Sequence, residues 1–364
     1  MWFRVTKTRA LPIGIDLGTA GVKVAQLRRV GGELELAATA LAKAPAQYRD
    51  DFDADLSSLA YRLRRLLDGR NFIGRKCVLA LPAETTFIYH AKTAKLPTER
   101  LERFLRKEMQ DRAPFDPLEA VVRHIVVGEI YNDGRAGQEV IVIAASRQTV
   151  EAYLELARQS GLDVVALKVA PCAMVDCFAQ LYHPARDDDR LTLYLNLGHM
   201  NTQVVIAQGA RLAFARNLTL GSRHVDEAAA ARLGIRPDEL SSARRELAED
   251  SEPSGRVDRI HGAVCEAMQD MVGEIANCLR YYDSAFPARP VERVLFLGGQ
   301  ARDRRFCEEI ARRIDLPAHI GDPLARVGRA DGVKWNTGMD RRQAQPAWAV
   351  AVGLSIGAEM PNAA

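Results

Sequence analysis

Aromatic side chains are scarce, at 6% of 364 residues. The six cysteines (Cys77, Cys172, Cys177, Cys265, Cys278 and Cys307) form no Cys-x-x-Cys pair. A zinc site or a disulfide framework needs denser and more regular spacing, so both are excluded. Reduced, mostly buried thiols in a cytosolic protein are expected instead. No apolar run reaches the ~18–20 residues of a membrane-spanning helix. The longest, Ala347–Ala358, is shorter and carries Gly and Ser. The residues before Asp16 are basic but lack the apolar run of a signal peptide. An excess of one charge is missing too: 50 basic against 47 acidic residues leave +3, with no concentrated basic surface for nucleic acid. There is no Gly-x-x-x-x-Gly-Lys-Ser/Thr loop, and seven scattered histidines give no Ser-His-Asp arrangement. The expected location is cytoplasmic, with membrane association only through a partner.

What is present is ordinary globular sequence, 48% apolar and 27% charged, long enough for two or three compact units. Residues 12–36 read as a meander: Ile13, Ile15 and Leu17 alternate, Gly18–Gly21 turns the chain, Val22, Val24 and Leu27 follow, and Gly31-Gly32 turns it again. Leu56–Leu67 has helical spacing and Cys77–Leu81 reads as a buried strand. A β-α-β-β-α unit follows: a strand over 86–96, a helix over 98–111 capped at Thr98, a strand over 121–130, an Asn132-Asp133-Gly134 turn, a strand over 139–145 and a helix over 149–160. Leu162–Val169 is a strand, Pro171–Leu181 a helix and Arg186–Arg190 a charged linker. Leu191–Leu220 repeats the glycine-punctuated strands of the N-terminus. Val225–Leu247 is helical with a break at Gly234, and Glu249–Gly255 a polar loop. Val257, Ile260, Val264, Met268, Met271, Ile275 and Leu279 recur at helical steps and predict one long core-packed helix. A strand over 291–297 ends in Gly298-Gly299, and helices from Asp303 and Pro346 complete the chain.

One pattern stands above the rest. Ile13-Gly-Ile-Asp16-Leu-Gly18-Thr19 aligns residue for residue with Leu193-Tyr-Leu-Asn196-Leu-Gly198-His199. Self-similarity over so long an interval points to two related α/β halves. Glycine turns bring backbone N–H groups close to phosphate oxygens. Asp16 at a strand end suits a hydrated Mg²⁺, and Lys23 balances phosphate charge. Two such hairpins face to face would clamp a triphosphate.

Ile13–Lys23 resembles the first phosphate motif of the actin-like ATPase superfamily, and Val294–Ala301 its adenosine motif. Pro171–Phe178 and Ala347–Leu354 stand where its two connecting helices belong. Within the superfamily the chain resembles PilM, the cytoplasmic component of type IV pilus assembly. The likeness rests on Leu79–Pro82, Leu96-Pro97, Glu108, Pro114-Phe115, Ala144–Arg147 and Arg280–Pro287. The resemblance implies an α/β, actin-like ATPase fold of duplicated ribonuclease-H-like domains. One lobe would span residues 1–81 with 162–190, an inserted subdomain 82–161, and a second lobe 191–364 with a helical subdomain over 225–290. It implies ATP and Mg²⁺ in the cleft, with Asp16, Gly18, Thr19 and Lys23 at the phosphates and Asp16 toward the metal. Asn196, Gly198 and Thr202 would complete the phosphate side, Gly298 and Gly299 the nucleoside side. It also implies a partner, the N-terminal tail of a PilN-like inner-membrane protein, held in a groove by the inserted subdomain. Self-association into a homo-oligomer is left open.

Departures from the superfamily pattern bear on activity. Asn196 replaces an aspartate, His199-Met200-Asn201 crowds the second turn, and Ala170 stands where an acidic residue is common. Near Asn277, where a basic residue often meets the nucleoside, only Glu274 suggests such a contact. Weak or absent hydrolysis is expected, since phosphoryl transfer depends on positioned charge. Alternatives on the same fold are a sugar kinase, which would need a carboxylate base, and an adaptor without nucleotide. His261 and Cys265 have ligand spacing but no third ligand, and the groups Arg62/Arg64/Arg65, Arg302/Arg304/Arg305 and Arg312/Arg313 read as solvated helix faces.

Overall fold

The computed structural model describes residues 8–43, 56–132, 135–181, 190–249, 255–329, 339 and 342–359. Apart from Arg190, Glu249 and Gly255, the linker expected at Arg186–Arg190 and the loop expected at Glu249–Gly255 lie outside them, as do Asp133 and Gly134 of the expected turn.

The N-terminal meander comprises β1 (Thr8–Ala10), β2 (Ile13–Gly18), β3 (Gly21–Val30) and β4 (Glu33–Lys43). Helix α1 (Leu56–Leu67) buries Ala60, Leu63, Leu66 and Leu67 on one face and leads to β5 (Lys76–Leu81). An insertion follows, with β6 (Phe87–Thr93), α2 (Thr98–Met109), β7 (Ala120–Asn132) and β8 (Arg135–Ser146). The cap of α2 falls on Pro97 and not on Thr98. The extended Pro97 backbone, at ψ 149°, already places Thr98 in the first helical position. Then come α3 (Arg147–Gln159), capped by Ser146 Oγ accepting from Thr149 N–H at 3.0 Å, β9 (Asp163–Val169) and α4 (Ala170–Leu181).

The second half repeats the scheme with β10 (Leu191–Leu197), β11 (Thr202–Gln208) and β12 (Arg211–Leu218). Four helices follow: α5 (Ser222–Leu233), α6 (Pro237–Glu249), α7 (Gly255–Ala267) and α8 (Gln269–Ala285). Gly234, at φ +67°, terminates α5 in the left-handed conformation that glycine adopts without strain. The single helix expected through Val257–Leu279 is two helices, interrupted at Met268, where ψ is 0°. Hydrogen bonding continues through the break, from Met268 N–H to Val264 O and from Val272 N–H to Met268 O, both 3.0 Å. Met268 and Met271 are buried, so the stripe packs as core. Strand β13 (Arg293–Leu297), α9 (Arg304–Ile314), β14 (Ala318–Ile320), β15 (Gly328–Arg329) and α10 (Ala349–Ile356) close the fold.

Two sheets share one plan. The first runs β15-β4-β3-β2-β5-β9, with β1 beside β3, and the second β12-β11-β10-β13-β14. Each is an antiparallel meander extended beyond its first strand by two parallel strands, and the first sheet also carries β15 parallel to β4 at its other edge. Between them α4 and α10 pack so closely that a Cβ on Gly353 would sit 1.9 Å from the Ala173 carbonyl oxygen. One on Gly14 would sit 2.1 Å from the Ala351 oxygen. Burial pushes the Cys77 and Cys172 thiols up to about 12, as suits protonated core thiols.

A third sheet, β6-β8-β7, belongs to the insertion. Its helix α2 covers one face with Leu101, Leu105 and Met109. Helix α3, grouped with the insertion in the sequence reading, packs elsewhere. Its apolar face of Tyr153, Leu156 and Ala157 shares a core with Ala60 and Leu63 of α1, and Ser160 Oγ donates to Ala60 O at 3.2 Å. The insertion is tied to the second half through a buried carboxylate. Glu139 of β8 accepts from Tyr281 Oη at 2.8 Å and from His90 Nδ1 at 3.0 Å. His90 Nε2 accepts from Ala215 N–H, which places the ring proton on Nδ1.

Candidate functional site

The two meanders meet across a cleft of about 490 Å³. This falls within the ~300–1,000 Å³ usual for small-molecule sites. Its walls include Asp16, Gly18, Thr19 and Lys23 from the first hairpin and Asn196, Gly198, Asn201 and Gln203 from the second. Gly298 and Gly299 line it as well.

In the first hairpin Gly18 pairs with Gly21 around the two-residue turn Thr19-Ala20. Gly21 has φ +149°, and a Cβ there would meet Ala42 O at 2.4 Å, so only glycine fits. Asp16 lies directly across from Lys23, with Nζ 3.5 Å from Oδ2. In the second hairpin Asn196 lies directly across from Gln203, and Asn196 Nδ2 donates to Gln203 Oε1 at 2.7 Å. Gly198 N–H closes the turn onto Asn201 O at 3.0 Å. The first N–H groups of α5, on Ser222 and Arg223, donate to Gly198 O and His199 O. Gly298, at φ +87°, supports this hairpin: a Cβ there would lie 2.5 Å from Leu197 O and 2.7 Å from Asn196 Oδ1. A Cβ on Gly299 would meet nothing within 4 Å, so this residue leaves open space in the cleft.

Two expected site residues are elsewhere. Thr202 is fully buried with its hydroxyl against Met271 Sδ at 4.0 Å, on the opposite face of β11 from the cleft. Strand side chains alternate, so the residue that faces the cleft is its neighbour Gln203. Glu274 is also outside the cleft walls. It lies on α8, 3.5 Å from Arg216 NH2 and bonded to Asn277 Nδ2. The helices of this group that reach the cleft are α5, through Asp226, and α6, which presents Ser241 and Arg244 three residues apart on one face.

Arg244 is only 7% exposed and bridges two carboxylates. It donates to Asp226 Oδ1 through NH1 and to Asp303 Oδ2 through NH2 at 2.9 Å. Ser241 Oγ donates to Asp226 Oδ2 at 2.7 Å. Burial alone would lower the Arg244 pKa, but the two carboxylates outweigh it and the net shift is upward. At the root of the insertion, Glu84 Oε1 accepts from Asn201 Nδ2 at 2.6 Å across the cleft. The carboxylates lining the cleft, Asp16, Glu84, Asp226 and Asp303, are therefore each held by a partner.

The arrangement suits an elongated anion. Glycine turns expose backbone to it, Lys23 supplies positive charge, and Asp16 supplies one carboxylate. Mg²⁺ commonly binds one or two carboxylates plus substrate phosphates, so Asp16 gives the ion a minimal seat. Among the described residues no group of three or more His, Cys, Asp or Glu side chains forms a metal site of its own.

Comparison with known proteins gives the fold its relatives. The family model described as type IV pilus assembly protein PilM matches residues 14–358. A solved PilM–PilN type IV pilus biogenesis complex is 22% identical over 96% of this chain and 99% of that chain, with a TM-score of 0.77. MreB 5 of Spiroplasma citri bound to AMPPNP is 12% identical over 96% of each chain, with a TM-score of 0.52. The architecture is the actin-like ATPase fold.

Proposed function

Because the chain belongs to the PilM family of type IV pilus assembly proteins, we propose that it is a nucleotide-binding scaffold at the inner face of the inner membrane. It takes ATP with Mg²⁺ into the cleft and holds the N-terminal tail of a PilN-like inner-membrane protein beside its insertion. Membrane attachment goes through that partner, in keeping with the lack of a long apolar helix among the described residues. The observation that carries the reading is the family match over both halves and the insertion.

In this reading Gly18 and Thr19 approach the phosphates, Lys23 balances their charge, and Asp16 faces the metal. Gly198 shapes the opposite turn, and Gly298 and Gly299 border the nucleoside. Bound metal would add positive charge beside the phosphate oxygens. ATP serves to set the closure of the two lobes, with little turnover, because the second hairpin contributes no charge. A small-molecule kinase would need an unengaged carboxylate base, and the cleft carboxylates are already held.

The partner's tail is expected to bind in extended form, using backbone hydrogen bonds and a few side-chain anchors. The insertion offers exposed apolar side chains at Leu118 and Val126. The test is fluorescence anisotropy of a labelled peptide copying the tail of a PilN-like protein, titrated with the whole chain. Saturable one-to-one binding, weakened by Leu118→Asp or Val126→Asp, is the expected result. A peptide that stays free at high protein concentration would overturn the scaffold reading.

A further inference from the structure

The two hairpins present cross-strand pairs at matching register, Asp16 with Lys23 and Asn196 with Gln203. The second pair is neutral and deeply set. Gln203 is 4% exposed, yet it lines the cleft. Its Oε1 is occupied by Asn196 Nδ2, and among the described residues its Nε2 has no partner. Asn196 Oδ1 is similarly without a donor, pressed beside Gly298. Turning both amides over would exchange their roles but leave the same outward groups: one N–H₂, one carbonyl and no charge. The free amide group opens into the cleft, where water meets it, and an acceptor entering the cleft would take that water's place.

We infer that Gln203 is a phosphate-binding residue, and that the Asn196–Gln203 pair grips the nucleotide's polyphosphate directly where a metal-assisted site would place a carboxylate. The inference rests on the nucleotide reading of the cleft. An amide N–H donating to a phosphate oxygen makes a charge-assisted hydrogen bond. A neutral pair neither draws Mg²⁺ nor repels phosphate. On the opposite wall Asp16 faces its own cation, Lys23, so the phosphate end stays attractive to an anion without metal. The consequence is a site that retains nucleotide with weak dependence on divalent cation.

The experiment is titration of the whole chain with a fluorescent ATP analogue, once in excess Mg²⁺ and once in EDTA. Wild type is expected to bind in both, with dissociation constants within about threefold, because the charge-assisted contact needs no metal. Gln203→Met keeps the side-chain volume but removes the amide, and should weaken binding about tenfold in both media. Asn196→Asp should weaken binding about tenfold in EDTA and recover in Mg²⁺, since a carboxylate repels bare phosphate and admits the ion. Circular dichroism melts establish that each variant is folded; if Gln203→Met is not, the Asn196→Asp result decides alone. Binding in Mg²⁺ that falls roughly thirtyfold or more in EDTA would overturn the inference and leave the nucleotide reading standing, because the contact would then run through the ion. Gln203→Met binding as tightly as wild type would do the same. Wild type that binds in neither medium would overturn both.

Discussion

Asp16–Lys23 and Asn196–Gln203 occupy the same two positions of the same supersecondary unit, and their chemistry differs completely. Both pairs join the first two strands of a meander across equivalent rungs. Both stand beside a glycine turn at the cleft. One pair carries opposite charges 3.5 Å apart, the other an amide hydrogen bond of 2.7 Å. Duplication has kept what geometry requires, which is the glycines, the register and the sheet order. Charge is not required by the backbone, so it has been free to diverge. The halves also differ in what they insert. The first places a small sheet between β5 and α3, and the second places α5–α8 between β12 and β13. Both insertions send side chains to the cleft, Glu84 from one and Asp226, Ser241 and Arg244 from the other.

The comparison holds only while the frame keeps the hairpins opposed. The largest expected effect is therefore Gly353→Val, which drives a side chain into the Ala173 carbonyl and separates α4 from α10. It should cost about 3 kcal/mol or more, read as a lowered urea midpoint. An unchanged midpoint would show that the helix crossing is not what holds the halves together. The smallest effect is expected at Thr202→Val. Its hydroxyl meets only a thioether sulfur at 4.0 Å, away from the cleft. Nucleotide affinity should be unchanged and stability should move by less than about 1 kcal/mol. A clear loss of affinity would place Thr202 at the phosphates and undo the assignment of Gln203.

Much of this was readable from local chemistry. Alternation and glycine turns gave both meanders, and the aligned repeats gave the two halves. The same alignment that carries Asp16 onto Asn196 also carries Lys23 onto Gln203 and Val22 onto Thr202. Taken through the whole hairpin, it marks Gln203 as the cleft residue and Thr202 as core, whereas a hydroxyl preference favours Thr202. Other features were not local. Which of α5–α8 reaches the cleft depends on how the helices stack, so Arg244 was missed and Glu274 was favoured. The lobe to which α3 belongs is decided by which core its Tyr153–Leu156–Ala157 face meets, a tertiary fact absent from the segment itself.

The most direct measurement is calorimetric titration of ATP·Mg²⁺ into wild type, Asp16→Ala and Asn196→Ala, side by side. The account predicts saturable one-to-one binding by wild type, binding weakened by about tenfold in Asn196→Ala, as expected for loss of a hydrogen-bonded positioning group, and a loss of no more than about threefold in Asp16→Ala, whose carboxylate meets the metal and not the phosphates. Equal losses in the two variants, or a larger loss in Asp16→Ala than in Asn196→Ala, would contradict the claim that one cleft is built from two hairpins of unequal chemistry.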